Sequence, residues 1–369
     1  MNCAILFIAN QREYELAKSR INDKLLIEYT VNEIKRLDVD CIYLLGGKDI
    51  EIDGLIKRDN INEVLEEIGD KDGNCLLLSC LYPLIEKNSY EKLMANDGAF
   101  VLCLNDKMIP VFKMANKDIK EFEKLDFKAI EIDKKQAFEY SGHKDIFKIS
   151  KIIKKKVIEK WLSKGVIIKD PCNTNIGIDV CIDKGTVIGS GVIIEGKTII
   201  GKNNLIDNGT YIVDSRLGDN NVIYDSKVIN SVILGGVKIG PDALVVGSEI
   251  NDGVDIGSFV KISDSKIGKK TSVEHLSYIG SGIIGNNVKI GASVVTVNQD
   301  GRSKNLTIIK DNSMIGSNVN LIAPLTIGEF ALVAAGSTID EDVKDGDMAI
   351  ARLYQQNKKG YGYKYTKED

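Results

Sequence analysis

Two histidines, His143 and His275, occur among the 369 residues. Imidazole titrates near neutrality, so it accepts a proton at pH 7 and releases it afterwards, which is general-base chemistry. His275 lies inside a periodic region, whereas His143 has no such context and reads as a surface residue. A histidine taken alone is ordinarily structural, so its neighbours must decide its role. Downstream, the polar stretch Asn298-Gln299-Asp300-Gly301-Arg302-Ser303-Lys304 breaks the periodicity. A turn-forming loop that leaves a rigid scaffold is a usual place for binding residues. The seven cysteines are scattered, odd in number and without a CxxC pair. They read as reduced thiols of a cytoplasmic protein, and neither a zinc site nor a disulfide framework is expected.

The scaffold is legible as a repeat. Ile176-Gly177, Ile188-Gly189 and Ile200-Gly201 are twelve residues apart, as are Ile267-Gly268 and Ile279-Gly280, and Ile315-Gly316 and Ile327-Gly328. Ile284-Gly285 to Ile290-Gly291 is a single step of six. A six-residue unit suits one short strand and one turn, with the aliphatic residue facing the axis, so stacked units form a parallel β-helix. Between Gly291 and Gly316 the rhythm slips by one residue.

Ahead of the repeat, apolar runs at 3–9, 41–45, 75–79, 99–104 and 109–113 alternate with helical segments, one of them at 25–37. This favours a mostly parallel, Rossmann-like sheet. In the segment 145–164, Ile149, Ile153, Val157 and Trp161 recur every four residues and predict an amphipathic helical arm. The fold class is therefore α/β plus all-β, divided into 1–144, a linker arm at 145–169, a β-helix at 170–346 and a C-terminal arm at 347–369. Net charge of −4 supplies no reason to expect nucleic acid or an acidic membrane as partner. The apolar runs are too short to span a bilayer, and the N-terminal run does not read as a signal peptide.

The run Glu274-His275-Leu276-Ser277-Tyr278-Ile279-Gly280, then Ile290-Gly291-Ala292, Asn298-Gln299-Asp300-Gly301 with Lys304, Ile315-Gly316-Ser317, Ala323-Pro324, Ala334-Ala335-Gly336 and Ala349-Ile350-Ala351-Arg352 closely resembles one family. It is the bifunctional N-acetylglucosamine-1-phosphate uridyltransferase/glucosamine-1-phosphate acetyltransferase family, in its C-terminal half. The resemblance covers about the last 200 residues in register and the whole chain in outline. It implies a nucleotidyltransferase domain, a helical arm and a left-handed β-helix that trimerises, with active sites between neighbouring prisms.

By that resemblance His275 is the general base that takes a proton from an amine attacking acetyl-CoA. Glu274 is not expected to assist, since successive strand residues point to opposite faces. Ala292 and Ala335 match small residues along the pantetheine path. Ser317 and Asn298 match polar contacts, and Lys304 and Arg352 match basic ones, with Arg352 suited to a CoA phosphate. Tyr278 matches an acceptor contact.

Elsewhere the chain departs from the family. The Arg and Lys that hold the sugar phosphate fall at Val245 or Val246 and at Ser263, with Lys261 two residues away. Lys289 replaces an Asn, and Gln299 a Tyr. Lys261 and Lys289 are the candidates for a rearranged anion site, which keeps glucosamine 1-phosphate open as acceptor. In the first domain, Ile8-Ala9-Asn10-Gln11-Arg12 lacks the family's phosphate-cradling glycines, and Leu81 stands where a metal-binding Asp is found. A second metal ligand would fall near Lys144 or Asp145. Lys18 keeps the place of a family lysine.

The expectation is a cytoplasmic, homotrimeric N-acetyltransferase that uses acetyl-CoA and an amino-sugar acceptor and no metal. Its uridyltransferase activity is expected to be lost. The alternative is a non-catalytic sugar-nucleotide or regulatory binding protein derived from such an enzyme.

Overall fold

Cys3–Phe7 is an apolar pentapeptide with four buried residues, and it forms an interior strand, the third, of a seven-stranded sheet. Burial on both faces suits a parallel strand. It pairs in parallel with Cys41–Leu45 and Asn74–Ser79, and Ile56–Arg58 extends the sheet in the same sense. On the far side, Lys107–Ala115 runs antiparallel to Asn74–Ser79 and to Phe100–Leu104, and Lys128–Glu131 closes that edge in parallel. The expected mostly parallel sheet is present. Cys3 stands in register with both Cys41 and Cys75.

The helix read at 25–37 spans Leu26–Ile34. Three short helices, Gln11–Ala17, Ile61–Ile68 and Lys87–Met94, were not marked by periodicity, because one or two turns hold too few apolar residues to show it. The arm helix runs Ile146–Ser163, and its Ile149, Ile153, Val157 and Trp161 are all buried.

The structure, a computed structural model, describes residues 1–21, 24–69 and 71–366. Its two compact units are Met1–Lys156 and Val157–Asp369, so the partition falls inside the arm helix. Among the described residues no helix is long and apolar enough to cross a membrane.

The second unit is a left-handed parallel β-helix with three faces. The first face holds eleven strands, from Ile167–Ile168 to Met348–Ala349. The second holds ten, from Asn175–Ile176 to Thr338–Ile339, and the third nine, from Cys181–Ile182 to Leu325–Ile327. Inward residues such as Ile188, Ile194, Ile206 and Ile212 are fully buried. The ladder starts at Ile167 and ends at Ala349, a few residues outside 170–346 at either end.

Coil length varies. Register gives 18 residues from Val187 to Leu205, 16 from Tyr211 to Lys227 and 17 from Leu244 to Lys261. The shorter coils have tight corners between the second and third faces. There Asp214, Asn230, Asp264 and Ser281 take left-handed backbone, with φ of 46°, 49°, 50° and 50°. A ladder of buried hydroxyls satisfies the amides at these corners. Ser215 Oγ accepts from Ser231 N–H at 3.1 Å, Ser231 Oγ from Ser248 N–H at 3.2 Å, and Ser248 Oγ from Ser265 N–H at 3.1 Å. Left unpaired, each such amide would cost about 1–3 kcal/mol. The one-residue slip read after Gly291 is a 25-residue coil, from Val295 to Asn320, that carries the loop as an insertion.

Candidate active site

The first corner of the prism, between the first and second faces, gathers residues that no fixed period connects. On the first face Ser272, Lys289, Met314, Leu332 and Met348 share one column of the ladder. Counting three residues onward from the first four gives His275, Ala292, Ser317 and Ala335. Backbone hydrogen bonds stack them directly: Ser293 N–H donates to His275 O at 3.0 Å, Asn318 N–H to Ala292 O at 2.8 Å and Gly336 N–H to Ser317 O at 2.9 Å. With coils about 4.8 Å apart, His275 and Ala335 lie about 14 Å apart along one edge. Counting on from Met348 gives Ala351, and the next residue, Arg352, lies at this end of the edge, where a Cβ built on Gly336 would stand 3.7 Å from its Cδ. The His275 ring lies on an exposed turn and is open to a ligand.

Glycines make the close stacking possible. A Cβ on Gly291 would meet Ser317 N at 2.7 Å, and one on Gly316 would meet Ala335 N at 2.5 Å. Small residues at Ala292, Ser317 and Ala335 leave the outside of the edge a smooth track. The strand argument about Glu274 needs correcting, because the strand ends at Val273 and both Glu274 and His275 are exposed on the corner.

A second group lies on the second face and its far corner. Lys261 and Tyr278 are register partners, and the Lys261 Nζ sits 5.8 Å from the Tyr278 ring centroid. Tyr278 Oη lies 3.4 Å from Ser263 Oγ. Asn298, 8% exposed, donates from Nδ2 to Ser281 Oγ at 3.0 Å. Asp300 folds the inserted loop by accepting from the Ser303 and Arg302 amides, which pull its carboxyl down to about 2. Lys304 Nζ meets Asp264 Oδ2 at 2.8 Å, and that carboxylate raises the lysine pKa. Asp264 and Ser281 carried no signal in the sequence.

Gly280, buried, leaves the space that the side chains of this group fill. A Cβ there would lie 2.3 Å from Tyr278 Oη and 2.9 Å from Asn298 Nδ2. Gly280→Ala is therefore expected to evict the phenol and raise the acceptor KM about three- to tenfold, leaving acetyl-CoA affinity unchanged. An unchanged acceptor KM in steady-state assays would count against Tyr278 as an acceptor contact.

Of the two valines considered for the missing arginine, Val245 is fully buried. Val246 faces outward in one column with Ser263 and Gly280. Lys261 shares the outward face with Ser263, Ile262 between them being buried. Lys289 stands apart, exposed on the first face. Within one chain, then, His275, Ala292, Ser317, Ala335 and Arg352 share one corner. Lys261 and Tyr278 begin second-face strands just past it, and Asn298 and Lys304 lie across that face at the far corner.

In the first unit, the loop after Cys3–Phe7 has its Ala9 amide occupied, and Asn10 caps the helix that follows. Glu13 Oε2 accepts from Ala9 N–H at 2.9 Å, and Asn10 Oδ1 accepts from Glu13 N–H at 3.0 Å. A carboxylate thus sits where a phosphate cradle would need free donors. Lys18 is bound to Tyr14 and, at 3.0 Å, to Asp49. Leu81 is 8% exposed and offers no metal-binding atom from its side chain. The adjoining cavity of about 360 Å³ carries Asp49 and Asp59, the latter paired with Lys48 at 2.8 Å. These residues do not fit a metal-nucleotide site, and His143 is exposed.

No family model matches the chain. It is similar to bifunctional protein GlmU of Caldicellulosiruptor saccharolyticus, 45% identical over 238 residues, which are 63% of this chain and 51% of that protein. A solved structure, the 4-diphosphocytidyl-2C-methyl-D-erythritol synthase of Anaerococcus prevotii, overlaps 41% of this chain and 97% of its own, at 12% identity and a TM-score of 0.34. In several matches the chain spans about half the length of the curated relative. One alignment is longer: bifunctional protein GlmU of Streptococcus agalactiae serotype V is 35% identical over 321 residues, 84% of this chain and 68% of that protein. This chain belongs to the GlmU family of bifunctional proteins.

Proposed function

We propose that the chain is an acetyl-CoA-dependent N-acetyltransferase whose acceptor is an amino sugar or its phosphate or nucleotide-linked derivative. His275 is the general base. The observation that supports this best is the single edge on which His275 stands at the foot of Ala292, Ser317 and Ala335, with Arg352 at the far end.

The donor supplies an acetyl thioester. Its pantetheine lies along the small-residue track, and Arg352 meets a CoA phosphate by charge-assisted hydrogen bonds. As the acceptor nitrogen attacks the thioester carbonyl, His275 takes its proton. The C–N bond forms, the C–S bond breaks and the thiolate leaves.

The reading includes a homotrimer. Asn298 and Lys304 lie across the second face from His275, so a neighbouring prism would bring the two corners together. It also includes a cytoplasmic location, supported by the scattered cysteines, and no part for nucleic acid, membrane or metal. Uridyltransferase activity is absent on this reading, because Glu13 occupies the Ala9 amide, the loop lacks glycine and Leu81 stands where the resemblance places a metal ligand. That same observation favours the second reading, a binding protein without catalysis.

Acetyl-CoA calorimetry separates the two, followed by thiol release with a panel of amino sugars, their phosphates and nucleotide-linked forms. Acetyl-CoA binding together with thiol release by one acceptor is the expected result. Failure to bind acetyl-CoA overturns the enzyme reading, and pyrophosphate release from UTP with N-acetylglucosamine 1-phosphate overturns the lost activity.

A further inference from the structure

One residue beyond each column residue, the first corner takes left-handed backbone. In successive coils the residues there include Gly191, Gly209, Asp242, Phe259, Leu276, Ser293, Asn318 and Gly336, with φ between 55° and 75°. Glycine and short polar residues suit that conformation, while a bulky side chain is strained in it. Phe259 and Leu276 nevertheless occupy two consecutive coils, with φ of 58° and 61°. Within the chain they are 59% and 58% exposed, so burial against their own prism does not offset the strain. Phe330 shares both terms at another corner, so what sets Phe259 and Leu276 apart is that they stand on two consecutive coils beside His275.

Their place defines that task. Leu276 follows His275, and its N–H donates to Ser258 O at 3.0 Å, which sets Phe259 one coil below. The small-residue track leaves His275 in the other direction, through Ala292, Ser317 and Ala335. A donor on that track leaves the acceptor to approach His275 over Phe259 and Leu276. Lys261 is the cation nearest this edge on the Phe259 coil, while Val246 and Ser263 stand where the resemblance places the family's cationic clamps. A pyranose presents a face of C–H bonds that aromatic and aliphatic surfaces bind without charge.

We propose that Phe259 and Leu276 form an apolar wall against which the acceptor sugar lays its ring beside His275. The inference rests on the acetyltransferase reading and specifies how its acceptor is recognised.

Asparagine tolerates left-handed backbone, so Phe259→Asn and Leu276→Asn relieve strain while removing the wall. Each is expected to raise the melting temperature by about 2–4 °C and to lower kcat/KM for the acceptor at least about tenfold, with acetyl-CoA affinity unchanged. Phe330 provides the control. It is 65% exposed with φ of 56°, but it lies on the corner between the third and first faces. Phe330→Asn is expected to stabilise the protein without touching turnover.

A fall in melting temperature for the two wall variants would make them structural residues and overturn the proposal. So would stabilisation with unchanged acceptor kinetics. If wild type turns over none of the panel, ligand-observed NMR with N-acetylglucosamine decides. Binding by wild type and Phe330→Asn that is lost in both wall variants supports the wall, and no binding by wild type overturns it. Failure of the underlying reading shows separately, as wild-type protein that binds no acetyl-CoA.

Discussion

Replacing His275 by alanine is expected to lower kcat for acetyl transfer by about 10²- to 10⁴-fold, the usual worth of a positioned general base. The fold should be untouched. The ring is exposed, and His275 itself joins the next coil through its carbonyl, which alanine keeps. Acetyl-CoA affinity should also hold, since the track lies on the coils above. Thiol release under saturating substrates, with calorimetry of the donor alone, separates these effects. A variant with wild-type kcat would remove His275 from the chemistry.

The second large effect concerns donor binding. Ala335 is exposed on the same edge, so a leucine there adds atoms to the outside of the prism and none to its core. Ala335→Leu is expected to weaken acetyl-CoA binding by at least about 100-fold, because a clash in a preformed track costs several kcal/mol of affinity. Melting temperature should hardly move. Gly316→Ala, one coil below, makes the contrast. Its Cβ would lie 2.5 Å from Ala335 N and 2.9 Å from Val333 O, both backbone atoms without a rotamer to yield. That variant is expected to lose about 1–3 kcal/mol of stability. Calorimetry on the first and thermal unfolding on both test the distinction. Normal acetyl-CoA binding by Ala335→Leu would mean that the donor does not run along this edge.

Much of the architecture was legible because its physics is periodic. Ile188, Ile194, Ile200 and Ile206 recur every six residues and all face the axis. The arm helix was equally plain, since Ile149, Ile153, Val157 and Trp161 form one stripe. Gln11–Ala17 and Lys87–Met94 were not, because a helix of seven or eight residues has too few turns to display a stripe.

The site was half legible. Residue types and motifs singled out His275, Ala292, Ser317, Ala335 and Arg352, but their alignment on one edge follows from coils of 17, 25 and 18 residues and has no period in the sequence. The polar settings of Asn298 and Lys304 were hidden for a related reason. Ser281 and Asp264 meet them only because the inserted loop turns back over the far corner. Phe259 and Leu276 look like ordinary apolar residues until their backbone angles are known. Backbone handedness at a corner leaves no mark on a hydrophobic residue.

The stacking of coils has a consequence for how such a chain changes over generations. Each rung of the three ladders pairs only with the rungs above and below it, so a substitution on one coil perturbs its two neighbours and little beyond. The coils from Leu244 to Ser263 are separated from those carrying Ser317 and Ala335 by the rungs of Tyr278 and Val295. Alterations in the lower coils are therefore energetically independent of the upper ones. On the proposed reading, acceptor preference is free to drift there by single substitutions, while the upper coils keep the donor without compensating mutations.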